Sequence, residues 1–130
     1  MFIPPRPGRS RPLNVGSGVW GTVALWRDLV IADTDEGKVL GIDRVTGAVR
    51  WSFFLTGPLW QSPVVVEDVL LLGDCAGVLH AYDLAGGAAA PGPPPERWQV
   101  ALGGCIESTP AVWEGSIFVG TRAGAVHALW

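Results

Sequence analysis

The sequence is poor in the residues from which catalytic and metal sites are usually built. Its 130 residues include two cysteines and two histidines, and charged residues make up 16% of the chain. Cys75 and Cys105 lack the spacing of a zinc site or of a Cys-x-x-Cys redox motif, so we expect free thiols in a reducing compartment. No serine has a nucleophile-elbow context. The sequence therefore favours a protein without catalytic residues, metal ion or cofactor.

Long apolar runs and an export signal are also missing. No stretch approaches the roughly eighteen apolar residues that a membrane span needs, and residues 1–12 contain no apolar core of a signal peptide. The formal net charge is −3, and Arg6, Arg9 and Arg11 lie in the tail, which leaves six of the nine basic residues against twelve acidic ones. This balance disfavours nucleic acid as a partner. We expect a cytoplasmic protein that binds neither nucleic acid nor a membrane.

What the sequence does contain is a repeat. The segment GKVLGID at residues 37–43 returns as GVLHAYD at residues 77–83, and its first half returns as GAVHA at residues 124–128, with glycines 40 and 47 residues apart. His80 and His127 occupy the same position of this repeat, which favours ordinary strand residues over a base or a ligand. Periods of about 40 to 50 residues with several short apolar runs are typical of β-propeller blades.

Each repeat also contains a short apolar run followed by a polar turn. The runs cover residues 29–32, 69–72 and 116–119, and the turns end at Gly37, Gly77 and Gly124. Such runs are too short for buried helices and are rich in β-branched or aromatic residues. The glycine supplies the positive φ that a short hairpin turn commonly needs. The pattern predicts that the second and third strands of every repeat form a hairpin.

A second motif carries a family resemblance. The first repeat matches the "tryptophan docking" pattern Ala-x-Asp-x-x-x-Gly-x-x-x-Trp at Gly41, Asp43, Gly47 and Trp51, with glycine in place of alanine. The second repeat matches it at Ala81, Asp83, Gly87 and, after seven inserted residues, Trp98. The third keeps Gly124 and Ala128 and then has Trp130 where the aspartate belongs. Over about residues 18–130 the chain thus resembles the quinoprotein-like β-propellers built from PQQ-type repeats.

The resemblance implies an all-β fold of antiparallel four-stranded blades. We expect blades at about residues 18–57, 58–104 and 105–130, the last one incomplete, so that the chain forms a partial, three-blade propeller. Residues 1–17 form a tail. Its residues 10–16 align with residues 50–56 and can supply a degenerate fourth strand that completes the third blade, with Arg11 in place of the docking tryptophan. Trp51 and Trp98 should fill the wedges between blades. A closed propeller usually needs four to eight blades, so we expect either the remaining blades of a parent propeller or self-association.

Blade geometry places two kinds of loop on one face of the propeller, which we call the mouth. These loops are the turns between the second and third strands and the connections that lead into each blade. They gather the candidate ligand residues Trp20, Asp33, Asp35, Trp60, Asp74, Glu107 and Arg122. Aromatic rings beside carboxylates can hold a flat or cationic ligand. The alternative is that the carboxylates are solvated turn residues and the tryptophans pack over neighbouring strands.

The resemblance implies a binding module and leaves several parent proteins open. Members of the family serve as platforms for protein assembly. One bacterial branch helps assemble outer-membrane proteins, but it carries a lipoprotein signal that this sequence lacks, which disfavours that branch. Another branch forms the C-terminal propeller of adenylate-forming enzymes similar to β-alanine-activating acyl-CoA synthetases. Quinone-dependent dehydrogenases place the quinone and calcium on the propeller axis, often beside a vicinal cysteine pair, whereas Cys75 and Cys105 are separate and three blades cannot encircle a cofactor. We therefore expect a non-catalytic scaffold that binds a protein or a small ligand.

Overall fold

The computed structural model of the protein describes residues 2–5, 8, 10–86 and 93–130. Over these residues the chain forms eleven β-strands and no helix, and accordingly no helix that could cross a membrane. Gly87 of the second docking motif lies outside the described residues, as do residues 88–92 of the insertion that follows it.

The strands form three antiparallel sheets in chain order. The first sheet contains β1 (Ala24–Trp26), β2 (Leu29–Asp33), β3 (Lys38–Asp43) and β4 (Val49–Phe54). The second contains β5 (Val64–Val66), β6 (Val69–Gly73), β7 (Val78–Asp83) and β8 (Glu96–Ala101), and the third contains β9 (Ala111–Trp113), β10 (Ser116–Gly120) and β11 (Val126–Leu129). Strands adjacent in sequence pair with each other in each sheet, which is the meander of a propeller blade. The predicted all-β fold of antiparallel blades is confirmed, and we number the three sheets as blades one to three.

The aspartate and glycine of the docking motif shape the turn that follows the third strand. Asp43 Oδ1 accepts hydrogen bonds from the amides of Val45 and Thr46, both at 2.9 Å, and Gly47 has a φ of 76°. The Thr46 amide and the Arg50 guanidinium hold the pKa of Asp43 well below its usual range. In blade two, Asp83 Oδ1 accepts from the amide of Ala85 at 3.1 Å. In blade three, Gly124 ends the turn before the third strand with a φ of 89°, and Ala128 of that strand pairs with Phe118.

Trp51 lies flat against the third strand of its own blade. It is the cross-strand partner of Gly41, and a methyl group added to Gly41 would overlap the indole ring. The glycine that replaces the family's alanine is therefore required by the close approach of this indole. In blade two the corresponding pair is Ala81 and Trp98.

Trp51 is also buried between blades one and two. It is 6% exposed and stacks on Phe53 with ring centroids 5.9 Å apart, while Phe53 lies 5.0 Å from Tyr82 of blade two. These residues belong to one apolar cluster that also contains Leu29 of blade one and Leu70 of blade two. The indole thus occupies the position of a wedge between the two blades.

The boundary between blades two and three is less completely filled. Trp98 is 38% exposed and lines an apolar cavity of about 570 Å³ together with Leu71 of blade two and Ile117 and Leu129 of blade three. In the described chain, blade three has three strands where the other blades have four. The strand at the open edge of blade three is β11, in which Val126 is 81% exposed.

The expected strand at residues 10–16 is not formed. Pro12 has no amide hydrogen for a ladder. The Asn14 side chain accepts a hydrogen bond from the amide of Gly16 at 2.8 Å, which favours a local turn. The tail lies beside blade one, where the Arg11 guanidinium donates to the Val45 carbonyl at 2.9 Å. Arg11 covers Gly47 of that blade instead of completing blade three.

The expectation of two free thiols is wrong. Cys75 and Cys105 form a disulfide, with Cα atoms 3.9 Å apart. Cys75 lies in the turn between β6 and β7, and Cys105 lies in the connection from β8 to β9. This connection runs along the turn, because the Leu102 amide donates to the Gly77 carbonyl at 2.8 Å and the Ile106 amide donates to the Asp74 carbonyl at 3.1 Å. The fold brings together two cysteines that are 30 residues apart in sequence.

Candidate functional site

The same hydrogen bond ties each connection at the mouth to the turn of the blade it leads into. The amides of Asp35, Cys75 and Arg122 donate to the carbonyls of Gly18, Pro58 and Cys105, at 2.9, 3.0 and 2.9 Å. Because the bond recurs at equivalent repeat positions, residues 20, 60 and 107 are held at equivalent places two residues further along each connection. The sequence places Trp20, Trp60 and Glu107 there.

Four of the seven candidate ligand residues line one pocket, which we call the mouth pocket. Trp20, Asp35, Trp60 and Glu107 surround a volume of about 600 Å³. Trp20 is 71% and Trp60 is 37% exposed, so ring surface is accessible on both. Asp35 is held in place, because its Oδ2 accepts from Trp20 Nε1 at 3.2 Å and its Oδ1 accepts from the Gly18 amide at 3.1 Å.

Arg122 reaches the pocket through Glu107. Its Nη1 lies 3.4 Å from Glu107 Oε1, and the two side chains are 63% and 42% exposed. An ion pair this exposed typically contributes less than about 1 kcal/mol. The guanidinium can therefore move away from Glu107 at little cost.

Asp33, the sixth candidate, is buried and lies away from the pocket surface. It is 1% exposed, and its Oδ2 accepts from Gln61 Nε2 at 3.0 Å across the boundary between blades one and two. Asp33 Oδ1 and Gln61 Oε1 are buried with no hydrogen-bond partner among the described residues. Burial raises the pKa of Asp33 to about 7, despite hydrogen bonds that act in the opposite direction.

Asp74, the seventh candidate, is also buried and organises its own turn. Its Oδ2 lies 3.0 Å from His80 Nε2, and its Oδ1 accepts from the Val78 amide at 3.1 Å. Burial raises the pKa of Asp74, but the bonds from His80 and the Val78 amide outweigh burial and hold the pKa below its ordinary value. Thr34 makes the equivalent bond to the Lys38 amide at 3.2 Å in blade one. This position therefore has a structural role in both blades.

Sequence reasoning missed the partners of these two buried aspartates. The repeat pattern did not indicate a structural role for Gln61, because the equivalent residues in the other repeats are Gly21 and Ser108. His80 was assigned to a strand, and it does lie on β7, but its bond to Asp74 could not be predicted from its position. Within the described ranges no three His, Cys, Asp or Glu side chains cluster as metal ligands would.

Breaking the disulfide should destabilise the connection that carries Glu107. The Cys75→Ser, Cys105→Ser double variant should lose roughly 3 kcal/mol of unfolding free energy, because the disulfide closes a loop between cysteines 30 residues apart in sequence. Urea unfolding with and without reductant measures this. Reductant should lower the stability of the native sequence to that of the variant and leave the variant unchanged. Equal stability of the two proteins without reductant would contradict a role for the disulfide.

The chain matches one family model and several solved structures. The family model described as outer membrane protein assembly factor BamB matches residues 8–90, and no curated protein sequence matches the chain. The crystal structure of BamB from Moraxella catarrhalis superposes on 90% of the chain with a TM-score of 0.75 and 22% identity. Two computationally designed proteins, Ika8 and Ika4, each superpose on 83% of it, with TM-scores of 0.67 and 0.66 and identities of 12% and 13%.

The chain is much shorter than two of these three structures. It spans 35% of the length of the BamB structure, 32% of Ika8 and 63% of Ika4. At such identities the superpositions show the fold alone. They agree with a chain whose three blades make up part of a propeller.

Proposed function

Since the chain belongs to the family of BamB, whose fold is a PQQ-like β-propeller, we propose that it is a non-catalytic module that binds a protein partner at its mouth. The BamB of this family is, by its name, an assembly factor for outer membrane proteins. The observation that carries the proposal is the mouth pocket, where two partly exposed tryptophans and two carboxylates meet. Exposed aromatic residues that converge with fixed polar groups are typical of binding surfaces.

The buried titratable residues near the mouth support binding over catalysis. Asp33 is bonded to Gln61, and Asp74 is bonded to His80 and to the turn that it organises. Each of these aspartates is at most 1% exposed, so neither is placed to exchange a proton with a substrate in the mouth pocket. The accessible groups are indole rings and carboxylates, which suit non-covalent recognition.

The open edge of blade three supports a second set of contacts. Beyond β11 the described chain offers no fourth strand, and the cavity beside Trp98 is lined by apolar side chains of both blades. Exposed strand edges and apolar patches of this kind are usually covered. We propose that further blades of a parent propeller, or a second copy of the chain, cover this edge.

The disulfide bears on where the protein works. Disulfides persist in oxidising compartments and are rare in the cytosol. Cys75–Cys105 therefore supports an oxidising compartment in place of the cytoplasm that the sequence led us to expect. This location suits a family whose named member acts in assembling outer membrane proteins.

Site-specific cross-linking tests the binding proposal. A photoreactive phenylalanine analogue at position 20, in the mouth pocket, should cross-link to one defined protein in cells that make this chain. The matched control is the same analogue at position 45, where Val45 is 66% exposed in the turn between β3 and β4 on the opposite face. Absence of a defined product at position 20, or equal products at both positions, would contradict a partner at the mouth.

A further inference from the structure

A face of the molecule remote from the mouth contains a three-residue arrangement of tryptophan, aspartate and arginine. Trp26 Nε1 donates to Asp68 Oδ1 at 3.0 Å. The Arg27 guanidinium lies over the Trp26 ring, 4.4 Å from its centroid, and its Nη2 is 3.8 Å from the same Asp68 oxygen. One aspartate thus accepts from an indole and attracts a guanidinium that covers that indole. The arrangement joins the end of β1 to blade two.

The mouth pocket repeats the first two members of this arrangement. Trp20 Nε1 donates to Asp35 Oδ2 at 3.2 Å, so an indole and a carboxylate are again joined edge to edge. In the described chain the cationic groups found over aromatic rings are Arg27 over Trp26 and Lys38 over Phe54, and none lies over Trp20 or Trp60. Trp60 and Glu107 add a second indole and a second carboxylate to the same pocket.

We propose that the mouth pocket binds the guanidinium group of an arginine side chain supplied by a protein partner. This inference rests on the proposed binding function and specifies its chemistry. A guanidinium is planar, so it can lie against an indole face while its edge donates to a carboxylate, which a compact ammonium does less well. Asp35 is already oriented by hydrogen bonds from Trp20 and from the Gly18 amide, so binding requires little further ordering of its carboxylate.

Arg122 is the internal competitor for this site. Its guanidinium is paired with Glu107 at 3.4 Å on an exposed surface, so an incoming arginine must share that carboxylate or displace Arg122. Among the described residues no other cation forms an ion pair with Glu107 and none forms one with Asp35, so removing Arg122 leaves the Glu107 carboxylate unpaired. The Arg122→Gln variant should therefore bind an arginine ligand more tightly than the native chain, and misfolding cannot produce such a gain.

Titration with N-acetyl-argininamide tests the inference, with the indole Nε1–H signals of Trp20 and Trp60 followed by NMR. We expect saturable shifts of both signals, about tenfold weaker binding in Asp35→Asn and in Glu107→Gln, and several-fold tighter binding in Arg122→Gln. The neutral isostere N-acetyl-citrullinamide and the ammonium ligand N-acetyl-lysinamide serve as comparison ligands and should bind more weakly. Asp68→Asn, in the arrangement remote from the mouth, is the matched control and should leave binding unchanged.

Three results would overturn the inference: equal binding of the citrulline ligand, unchanged affinity in both carboxylate variants, or no tightening in Arg122→Gln. The cross-linking experiment separates this failure from failure of the proposed function. If position 20 still cross-links to a defined protein while the arginine ligand does not bind, the partner is recognised by other chemistry and the binding function stands. If position 20 yields no product, the proposed function fails as well.

Discussion

Replacing Trp51 with alanine should lower the free energy of unfolding by about 3 to 5 kcal/mol. The indole is 6% exposed and belongs to the cluster that joins blades one and two through Phe53 and Tyr82. The residue beneath it is Gly41, which has no side chain that could move into the space left behind. The cavity would therefore persist, and its cost would add to the lost burial of the ring. Equilibrium urea unfolding at one fixed protein concentration measures the loss.

Two other tryptophans give graded controls for this result. Trp20 is 71% exposed, so Trp20→Ala should cost less than about 1 kcal/mol. Trp98 is 38% exposed beside a cavity that is already open, so Trp98→Ala should fall between the two. Equal small losses for Trp51→Ala and Trp20→Ala would show that Trp51 is not an interblade wedge.

The fold could be predicted because its signals are local and repeated. A run of apolar residues, a turn ending in glycine and an aspartate four residues before a second glycine each specify a strand or a turn over fewer than ten residues. Their recurrence at periods of 40 and 47 residues then identified the blade. The same spacing aligned Trp20 with Trp60 and Glu107, and these three residues do line one pocket.

The features that sequence reasoning missed occur where the repeats differ from one another. Cys75 is equivalent to Asp35 and Arg122 by position, and Cys105 is equivalent to Gly18 and Pro58. A disulfide between them is therefore unique to one boundary and leaves no periodic signal. The tail was misjudged for a related reason, because its alignment with residues 50–56 took no account of Pro12 or of the local turn at Asn14.

The buried pair of Asp33 and Gln61 is a further unique feature, since the positions equivalent to Asp33 are Gly73 and Gly120. Sequence reasoning placed Asp33 on the mouth surface because it took this residue as the first of the polar turn, whereas Asp33 is the last residue of β2. The connection into blade two covers that strand end, and Gln61 of the connection bonds to the carboxylate. Such covering depends on contacts between blades, which a single repeat does not encode.

This buried pair should make the stability of the protein depend on pH. The pKa of Asp33 is about 7 in the folded protein, against 3.8 for an ordinary aspartate. Between these values the folded state holds a proton that the unfolded state has released. The contribution of Asp33 to stability is therefore most favourable below the lower pKa, and it falls as the pH rises to about 7. At 1.36 kcal/mol per pKa unit, the total loss is about 4 kcal/mol.

Asp33→Asn should remove this dependence and stabilise the protein in neutral and alkaline solution. Asparagine does not titrate, its Oδ1 can accept from Gln61 Nε2, and its amide can donate to the otherwise unpartnered Gln61 Oε1. The advantage of the variant over the native sequence should grow by about 2 to 3 kcal/mol between about pH 5 and about pH 8. Urea unfolding of both proteins at the two pH values gives this difference directly.

Comparing the two proteins also removes the contributions of other groups. Asp43 and Asp74 have lowered pKa values, so their favourable contributions to stability are lost as the pH falls. This loss is the same in the native sequence and in the variant, because both proteins contain these two residues. Asp35→Asn is the matched control, because it makes the same chemical change in the mouth pocket on a carboxylate that is not fully buried. If the advantage of Asp33→Asn is the same at both pH values, Asp33 is ionised throughout the range, and the buried carboxylate must be stabilised by a donor that Gln61 does not supply.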